Sequence, residues 1–240
     1  MSSLQNFSKN TLNPMNEKET FLSSLGSLLP EIDPNCAEKM FEYHAAVELA
    51  NRSINLTAIT DPGESAQKHF YDSVMASKFI KEKAHVIDVG TGGGFPGVPL
   101  KIMRPDLRMT LLDATEKKTK TVNSMCAELG IDADVVCMRA EDAGRGKYRG
   151  QFDAAVSRAV ANLSALAELC IPFVRKNGIF IAYKSQDAED IKDISFCDEL
   201  GCVLVETFDY PGRRLLIFRK IEKTPDKYPR PFARIKKNPL

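Results

Sequence analysis

The amino-acid sequence predicts an α/β fold: a mostly parallel sheet with crossover helices, closed by an antiparallel hairpin and preceded by a helical extension. Three observations predict it. From His85 onward, short β-rich runs alternate with helix-length segments, the pattern of strands joined by crossover helices. Between residues 17 and 51, apolar side chains recur instead at helical spacing. Near the end, two strand-like runs, 203–208 and 215–219, are joined through Asp209, Tyr210, Pro211 and Gly212, a turn sequence too short for a crossover helix.

In chain order, residues 1–16 are polar and without period, and a flexible N-terminus is expected there. Residues 17–82 read as a helical cap. Phe21, Leu22, Leu25, Leu28 and Leu29 mark its first helix. The second starts at Asp33-Pro34 and is expected to bury the row Ala37, Phe41, Ala45 and Leu49, flanked by Met40, His44 and Val47. A third helical stretch, 65–80, leads into the sheet domain, 83–221. Strands are predicted at 85–90, 108–113, 134–138, 152–157 and 178–183, and helices at 97–104, 116–129 and 163–174. With the hairpin this makes seven strands. Residues 222–240 form a basic tail.

A chain of 240 residues, 43% of them hydrophobic, can bury one α/β core plus an appendage. The 33 Lys and Arg nearly cancel the 32 Asp and Glu, so the net charge of +1 points to no partner until one asks where the charges lie. No apolar run approaches the roughly 18–20 residues of a membrane helix, and the start, with Asn6, Asn10, Asn13 and Asn16, lacks a signal peptide's apolar region. A cytoplasmic protein without a membrane partner is expected, with a monomer as the working assumption. The six cysteines include no C-x-x-C pair, and His44, His69 and His85 are far apart, so no metal site is expected.

The chemistry concentrates in residues 86–97, where an apolar strand carrying Asp88 runs into Gly90-Thr91-Gly92-Gly93-Gly94-Phe95-Pro96-Gly97. Glycines at a strand's carboxyl end let the backbone approach a ligand with no Cβ in the way. The same string satisfies the dinucleotide pattern, and Asp113, ending the second strand, sits where a carboxylate accepts both ribose hydroxyls of either NAD or S-adenosylmethionine. Further features favour S-adenosylmethionine. Gly90 falls at the strand end itself, Asp88 two residues earlier could face a cationic methionine moiety, and Ala140-Glu141-Asp142 follows the third strand where an adenine edge would be read. An NAD-dependent oxidoreductase and a non-catalytic RNA-binding module remain the alternatives.

The runs Asn55-Leu56-Thr57, His69-Phe70-Tyr71-Asp72-Ser73, 88–97, Ser157-Arg158-Ala159 and Lys227-Tyr228-Pro229-Arg230 together resemble the ribosomal RNA small-subunit methyltransferase G family, over about residues 40–240. The resemblance implies a Rossmann-like class I methyltransferase of seven strands that methylates guanine N7 in the 530 loop of 16S ribosomal RNA. It also implies donor contacts at Gly90, Phe95, Ala140 with Glu141, and Arg158. Two departures are Gly93, where Pro or Ala is expected, and a tail, 231–236, without the usual Gly-x-Pro.

That reaction suits the residues. Guanine N7 has a lone pair and no proton, so its attack on a sulfonium methyl needs alignment but no general base. Arg158, after the fourth strand, could donate to guanine O6 while leaving N7 free; a salt bridge beneath the glycine loop is the rival role. Asn55 and Thr57, with His69, Asp72 and Ser73 at helical steps, are the other candidate substrate wall, although Asp72 and Ser73 could equally buttress the loop. Lys184, just past the fifth strand, could meet phosphate or simply be solvated. From Arg213 to the end ten cations face two acids, Glu222 and Asp226, while Tyr228 and Phe232 interleave. That surplus suits an RNA backbone, with Lys227 and Arg230 among the contacts, on naked RNA or on a small-subunit particle.

Overall fold

The computed structural model describes residues 14–158, 162–188 and 193–240. Most of the expected flexible N-terminus, and Ala159 of the Ser157-Arg158-Ala159 run, lie outside the described residues.

Two helices open the chain, α1 (Pro14–Leu28) and α2 (Pro34–Asn51). The Asp33 carboxylate caps α2 by accepting from the backbone N–H groups of Asn35 and Cys36 at 2.9 and 3.1 Å. The buried face of α2 differs from the expected one: Ala37, Met40, Tyr43, His44 and Val47 point inward, while Leu49 is 64% exposed. Adjacent helical rows share one period, so spacing alone does not choose between them. Here the choice is made by Tyr43, whose hydroxyl donates to the Gly93 carbonyl at 3.0 Å and turns its own row toward the sheet.

The third helical stretch is not one regular helix. It is built from α3 (Pro62–Ser65), a π-helical turn (Ala66–Tyr71), α4 (Asp72–Val74) and a 3-10 turn (Met75–Phe79). Such π insertions cost regular hydrogen bonding and recur where side chains must be re-aimed. This one carries His69 and leads directly into Asp72.

The sheet follows with β1 (His85–Val89), α5 (Gly97–Met103), β2 (Arg108–Asp113), α6 (Glu116–Glu128), β3 (Ala133–Cys137), α7 (Ala140–Ala143), β4 (Phe152–Ser157), α8 (Leu163–Cys170), β5 (Val174–Ser185), α9 (Phe196–Leu200), β6 (Cys202–Tyr210), β7 (Arg213–Lys220) and α10 (Phe232–Lys237). The strand order is β3-β2-β1-β4-β5-β7-β6. The first five strands are parallel, and β7 runs antiparallel between β5 and β6. The order reverses at β1, so a crevice opens between the loops that follow β1 and β4, where open α/β sheets take ligands.

Alternation along the strands splits the core. Val86, Leu111 and Val156 point to the face covered by the N-terminal helices. Ile87, Leu112 and Ala155 point to the face covered by α8 and α9. Burial on both faces explains the near-continuous apolar runs of β1 and β4. The helix expected to reach residue 174 ends at Cys170, because Pro172 has no N–H to continue the ladder and a 3-10 turn, Ile171–Phe173, takes over. Strand β5 therefore begins earlier than expected. No helix among the described residues is long and apolar enough to cross a membrane.

Candidate active site

The loop after β1 hangs from its neighbour: the N–H groups of Gly90 and Thr91 both donate to the Leu112 carbonyl, at 2.8 and 3.0 Å. Asp88, fully buried at the end of β1, fastens the loop's far side. Its Oδ2 accepts from Thr91 Oγ1 at 2.7 Å and from the Gly97 N–H at 2.8 Å. Its Oδ1 is buried with no hydrogen-bond partner among the described residues. Burial pushes this carboxyl up to about 6 against the opposing pull of the Thr91 and Gly97 hydrogen bonds. A buried acceptor left open is costly unless a ligand completes it.

The glycines of the loop divide by role. A Cβ at Gly94 would lie 2.1 Å from the Tyr43 hydroxyl oxygen, and Gly94 has φ of +91°; a Cβ at Gly97 would lie 2.3 Å from Leu111 Cδ2. These two serve packing. A Cβ at Gly92, where φ is +57°, would meet nothing nearer than the Gly90 carbonyl at 4.0 Å. Gly92 thus faces open space on the crevice side. Asp113 spans the crevice floor, Oδ2 accepting from the Gly92 N–H at 3.0 Å and Oδ1 from the Thr115 N–H at 2.8 Å. The Met138 N–H donates to the Asp113 carbonyl at 3.0 Å, which brings the loop after β3 alongside. There Ala140 is half-buried, and Glu141 is buried with no hydrogen bond to its carboxylate among the described residues.

Phe95 connects this cradle to a second group of residues. The His69 ring stacks on it at 4.5 Å and 16°, and the Arg158 guanidinium lies 5.4 Å from its centroid. Arg158 donates to the Lys68 carbonyl (2.7 Å), Asp72 Oδ2 (3.1 Å) and His69 Nδ1 (3.0 Å). Because arginine only donates, His69 Nδ1 must accept, which leaves the proton on Nε2 facing Thr57 Oγ1 at 2.7 Å. Asp72 is buried and also receives Arg213 Nε at 3.0 Å and the Tyr210 hydroxyl at 2.5 Å. A cavity of about 560 Å³ opens beside this network, lined by Lys68, His69, Asp72, Arg158, Tyr210 and Arg213 among others.

The candidate substrate residues fare differently. His69, Asp72 and Arg158 line the cavity. Ser73 does not; it is fully buried, its hydroxyl donates to the His69 carbonyl, and its own carbonyl receives the Tyr183 hydroxyl at 2.5 Å. It buttresses the segment. Asn55 is exposed, in a loop held by Asn51, whose Oδ1 accepts from the N–H groups of Leu56 and Thr57 at 2.8 and 3.1 Å. Lys184 is half-buried near the end of β5, opposite Arg214 of β7.

In the tail, several cations of the expected charge stripe have partners of their own. Arg230 grips the buried Glu168 carboxylate, with Nε–Oε1 at 2.8 Å and Nη2–Oε2 at 2.5 Å. Lys227 pairs with Glu199 at 3.2 Å. Arg213, Arg214 and Lys223 pair with Asp72, Asp209 and Asp226, and Lys220 is buried on the Ile171 carbonyl at 3.1 Å. Four of these acids lie upstream of the basic stretch, so its local charge balance does not include them.

Sequence reasoning missed Asn51, Tyr210 and the pairing of Arg213 with Asp72. Asn51 carries no sequence signal. Tyr210 and Arg213 flank the hairpin turn, and a hairpin after a parallel strand must turn at the carboxyl edge, which was a usable sign.

Burial lowers His44 to about 4; burial and then the Arg158 charge lower His69 to about 3. Both values lie below the unfolded histidine value of about 6.5. Their contribution to stability is therefore complete above pH 6.5 and is lost as the pH falls toward 4 and 3, since the unfolded chain binds the protons first. Asp88 works in the opposite sense between about 6 and its ordinary carboxylate value, which offsets one histidine at most. The melting temperature is expected to fall steadily from pH 6.5 to 4; a flat profile over that window would show the two imidazoles to be solvated.

The sheet order, the antiparallel closing strands and the glycine crevice define a Rossmann-like methyltransferase fold. Two solved structures share it: cofactor-bound Rv0187 from MTB (TM-score 0.55, 20% identity, 84% of this chain and 96% of that one) and M. jannaschii TYW2 in complex with AdoMet (TM-score 0.54, 11% identity, 71% and 80%). Within that fold, the sequence model described as GidB, rRNA small subunit methyltransferase G, matches residues 36–196. The chain is also 39% identical to the ribosomal RNA small subunit methyltransferase G of Acetivibrio thermocellus, over 94% of this chain and all of the relative. It is 41% identical to that of Clostridium beijerinckii, over 85% and 90%. The chain belongs to the rRNA small subunit methyltransferase G family.

Proposed function

We propose that this protein transfers a methyl group from S-adenosylmethionine to guanine N7 in the 530 loop of 16S ribosomal RNA, in the cytoplasm, on RNA or on the small-subunit particle. The observation that carries the reading is the adjacency of two sites sharing the Phe95–His69–Arg158 wall. One is an open crevice floored by Gly92 and Asp113; the other is a cavity large enough for a nucleotide.

The residues present fit the donor. Asp88 Oδ1 is an unsatisfied buried acceptor at the crevice, Gly92 leaves its Cβ direction empty, and the Glu141 carboxylate has no hydrogen-bond partner among the described residues. When bound, S-adenosylmethionine supplies an electrophilic methyl group. Asp113 holds the crevice floor and offers its carboxylate to ribose hydroxyls. Asp88 would lend negative potential beneath the loop, Ala140 and Glu141 would meet the adenine edge, and Phe95 would form part of the wall that the donor site shares with the cavity. Arg158 and the neutral His69 orient the base. The names of the relatives support ribosomal RNA as the substrate, and N7 is an acceptor atom whose methylation calls for no general base.

Incubating undermethylated small subunits with the protein and labelled donor, then mapping modified nucleosides by mass spectrometry, tests this. The expected product is a single 7-methylguanosine in the 530 loop. Label elsewhere, or tight binding of NAD in place of the donor, would overturn the reading. Asp113→Ala is expected to weaken donor binding by about 1–3 kcal/mol, because the ribose hydroxyls lose their acceptor and the Gly92 N–H its tether. An unchanged dissociation constant by calorimetry would reduce Asp113 to a cap for Thr115.

A further inference from the structure

The tail after β7 is fixed to the body by a dense set of polar contacts. Arg149 alone satisfies the carbonyls of Gly144, Thr224, Pro225 and Tyr228, at 2.7 to 3.1 Å. Tyr228 is buried, with its hydroxyl on Glu199 at 2.6 Å, and Arg230 closes on Glu168. The result is to seat α10 on α8, with Ile235 fully buried in a cluster with Ala165 and Leu169, against which Ala140 packs. Ala140 belongs to the loop that borders the crevice, so the tail ends beside the donor site.

On that seat α10 shows a face unlike the rest of the tail. Arg234, Lys236 and Lys237 are exposed, and their side chains make no hydrogen bond or ion pair among the described residues. Arg139 and Arg145, flanking α7, are likewise exposed and unpaired among the described residues, with the buried Glu141 and the exposed Asp142 between them. Phe232 stands 41% exposed at the start of α10. Most other tail cations are neutralised by acids, and these five are not. Favourable placement of cations at a helix C-terminus explains part of the α10 charge. It does not explain Arg139 and Arg145, which sit at the other element.

We infer that α10 and the flanks of α7 form the docking face for the sugar–phosphate backbone of the RNA substrate, with Phe232 as a stacking platform, and that the paired cations Lys223, Lys227 and Arg230 take no part in it. This rests on the reading of the protein as an RNA methyltransferase. Five cations without an ion-pair partner among the described residues, around a partly apolar surface, match a polyanion with exposed base faces, and the packing of Ala140 against the cluster that holds Ile235 keeps that surface beside the crevice.

The test compares three proteins: the parent, the triple variant Arg234→Gln, Lys236→Gln, Lys237→Gln, and a control with Lys223→Gln and Lys227→Gln. Affinity for an unmodified 16S transcript is measured against salt concentration, alongside melting temperature and donor affinity. The triple variant should keep its melting temperature and donor affinity, lose RNA affinity by 10-fold or more near physiological salt, and flatten the logarithmic salt slope by roughly 2–3 units, about 0.7–0.9 for each phosphate no longer neutralised. The control should stay within twofold of the parent. An unchanged slope in the triple variant, or an equal loss in the control, overturns the assignment. So does loss of methylation on particles alone with naked-transcript binding intact, which would mark a ribosomal-protein contact instead. A parent that methylates the RNA while the triple variant binds normally defeats only this inference. A parent with no affinity for RNA defeats the functional reading as well.

Discussion

Gly92→Val is expected to leave the protein folded and to abolish donor binding. The side chain would project into space that no protein atom occupies, its nearest neighbour being the Gly90 carbonyl at 4.0 Å. The folded state then bears only the strain of a branched residue at φ of +57°, about 1–3 kcal/mol. The same methyls would enter the space proposed for the donor. Gly94→Ala makes the contrast. Its Cβ would fall 2.1 Å from the Tyr43 hydroxyl oxygen at φ of +91°, which displaces Tyr43 from the Gly93 carbonyl and adds backbone strain, about 3–5 kcal/mol together. In a domain of this size that lowers the melting temperature by roughly 10 °C. Calorimetry and a melting curve on each variant read both effects. Normal donor affinity in folded Gly92→Val would remove this loop from the donor site.

These two glycines show what a sequence conveys and what it leaves out. The string 90–97 announces a close approach of backbone to something, because glycine is the residue that permits it, and strand periodicity places that string at the sheet edge. The string does not say which glycine faces ligand and which faces Tyr43, since that depends on a helix some fifty positions earlier. The strands were legible for the same local reason, burial on both faces producing continuous apolar runs. The inward face of α2 was not, because two adjacent rows carry the same period and one long-range hydrogen bond decides between them. Charge behaved in the same way. Arg230 and Lys227 read as a phosphate-facing pair, and the local sequence does not show that Glu168 and Glu199, remote in the chain, lie beside them. At the crevice, Asp88, Asp113 and Glu141 could be named from strand ends alone, whereas Asp72 shows its role only once Arg158, Tyr210 and Arg213 meet on it.

That meeting underlies the second large effect. Asp72→Ala is expected to destabilise the fold by about 3–5 kcal/mol, since it leaves two guanidinium groups and the Tyr210 hydroxyl without their shared acceptor. Arg158→Ala is a milder structural change. Asp72 keeps Arg213 and Tyr210, so the cost is about 1–3 kcal/mol, set mainly by the freed Lys68 carbonyl and His69 Nδ1. Its effect on turnover is the larger one, a fall of about 100-fold or more. Arg158 links the cavity to Phe95 and fixes the His69 tautomer, and misplacement of a base by about an ångström carries a penalty of that order. Arg158→Lys separates the two roles: an ammonium can still neutralise Asp72 but cannot hold Asp72, His69 and the Lys68 carbonyl at once. It should recover most of the melting temperature and little of the turnover. If Arg158→Ala instead melts like Asp72→Ala while its folded fraction methylates at the parent rate, Arg158 is a structural ion-pair partner and the base is oriented by other residues of the cavity.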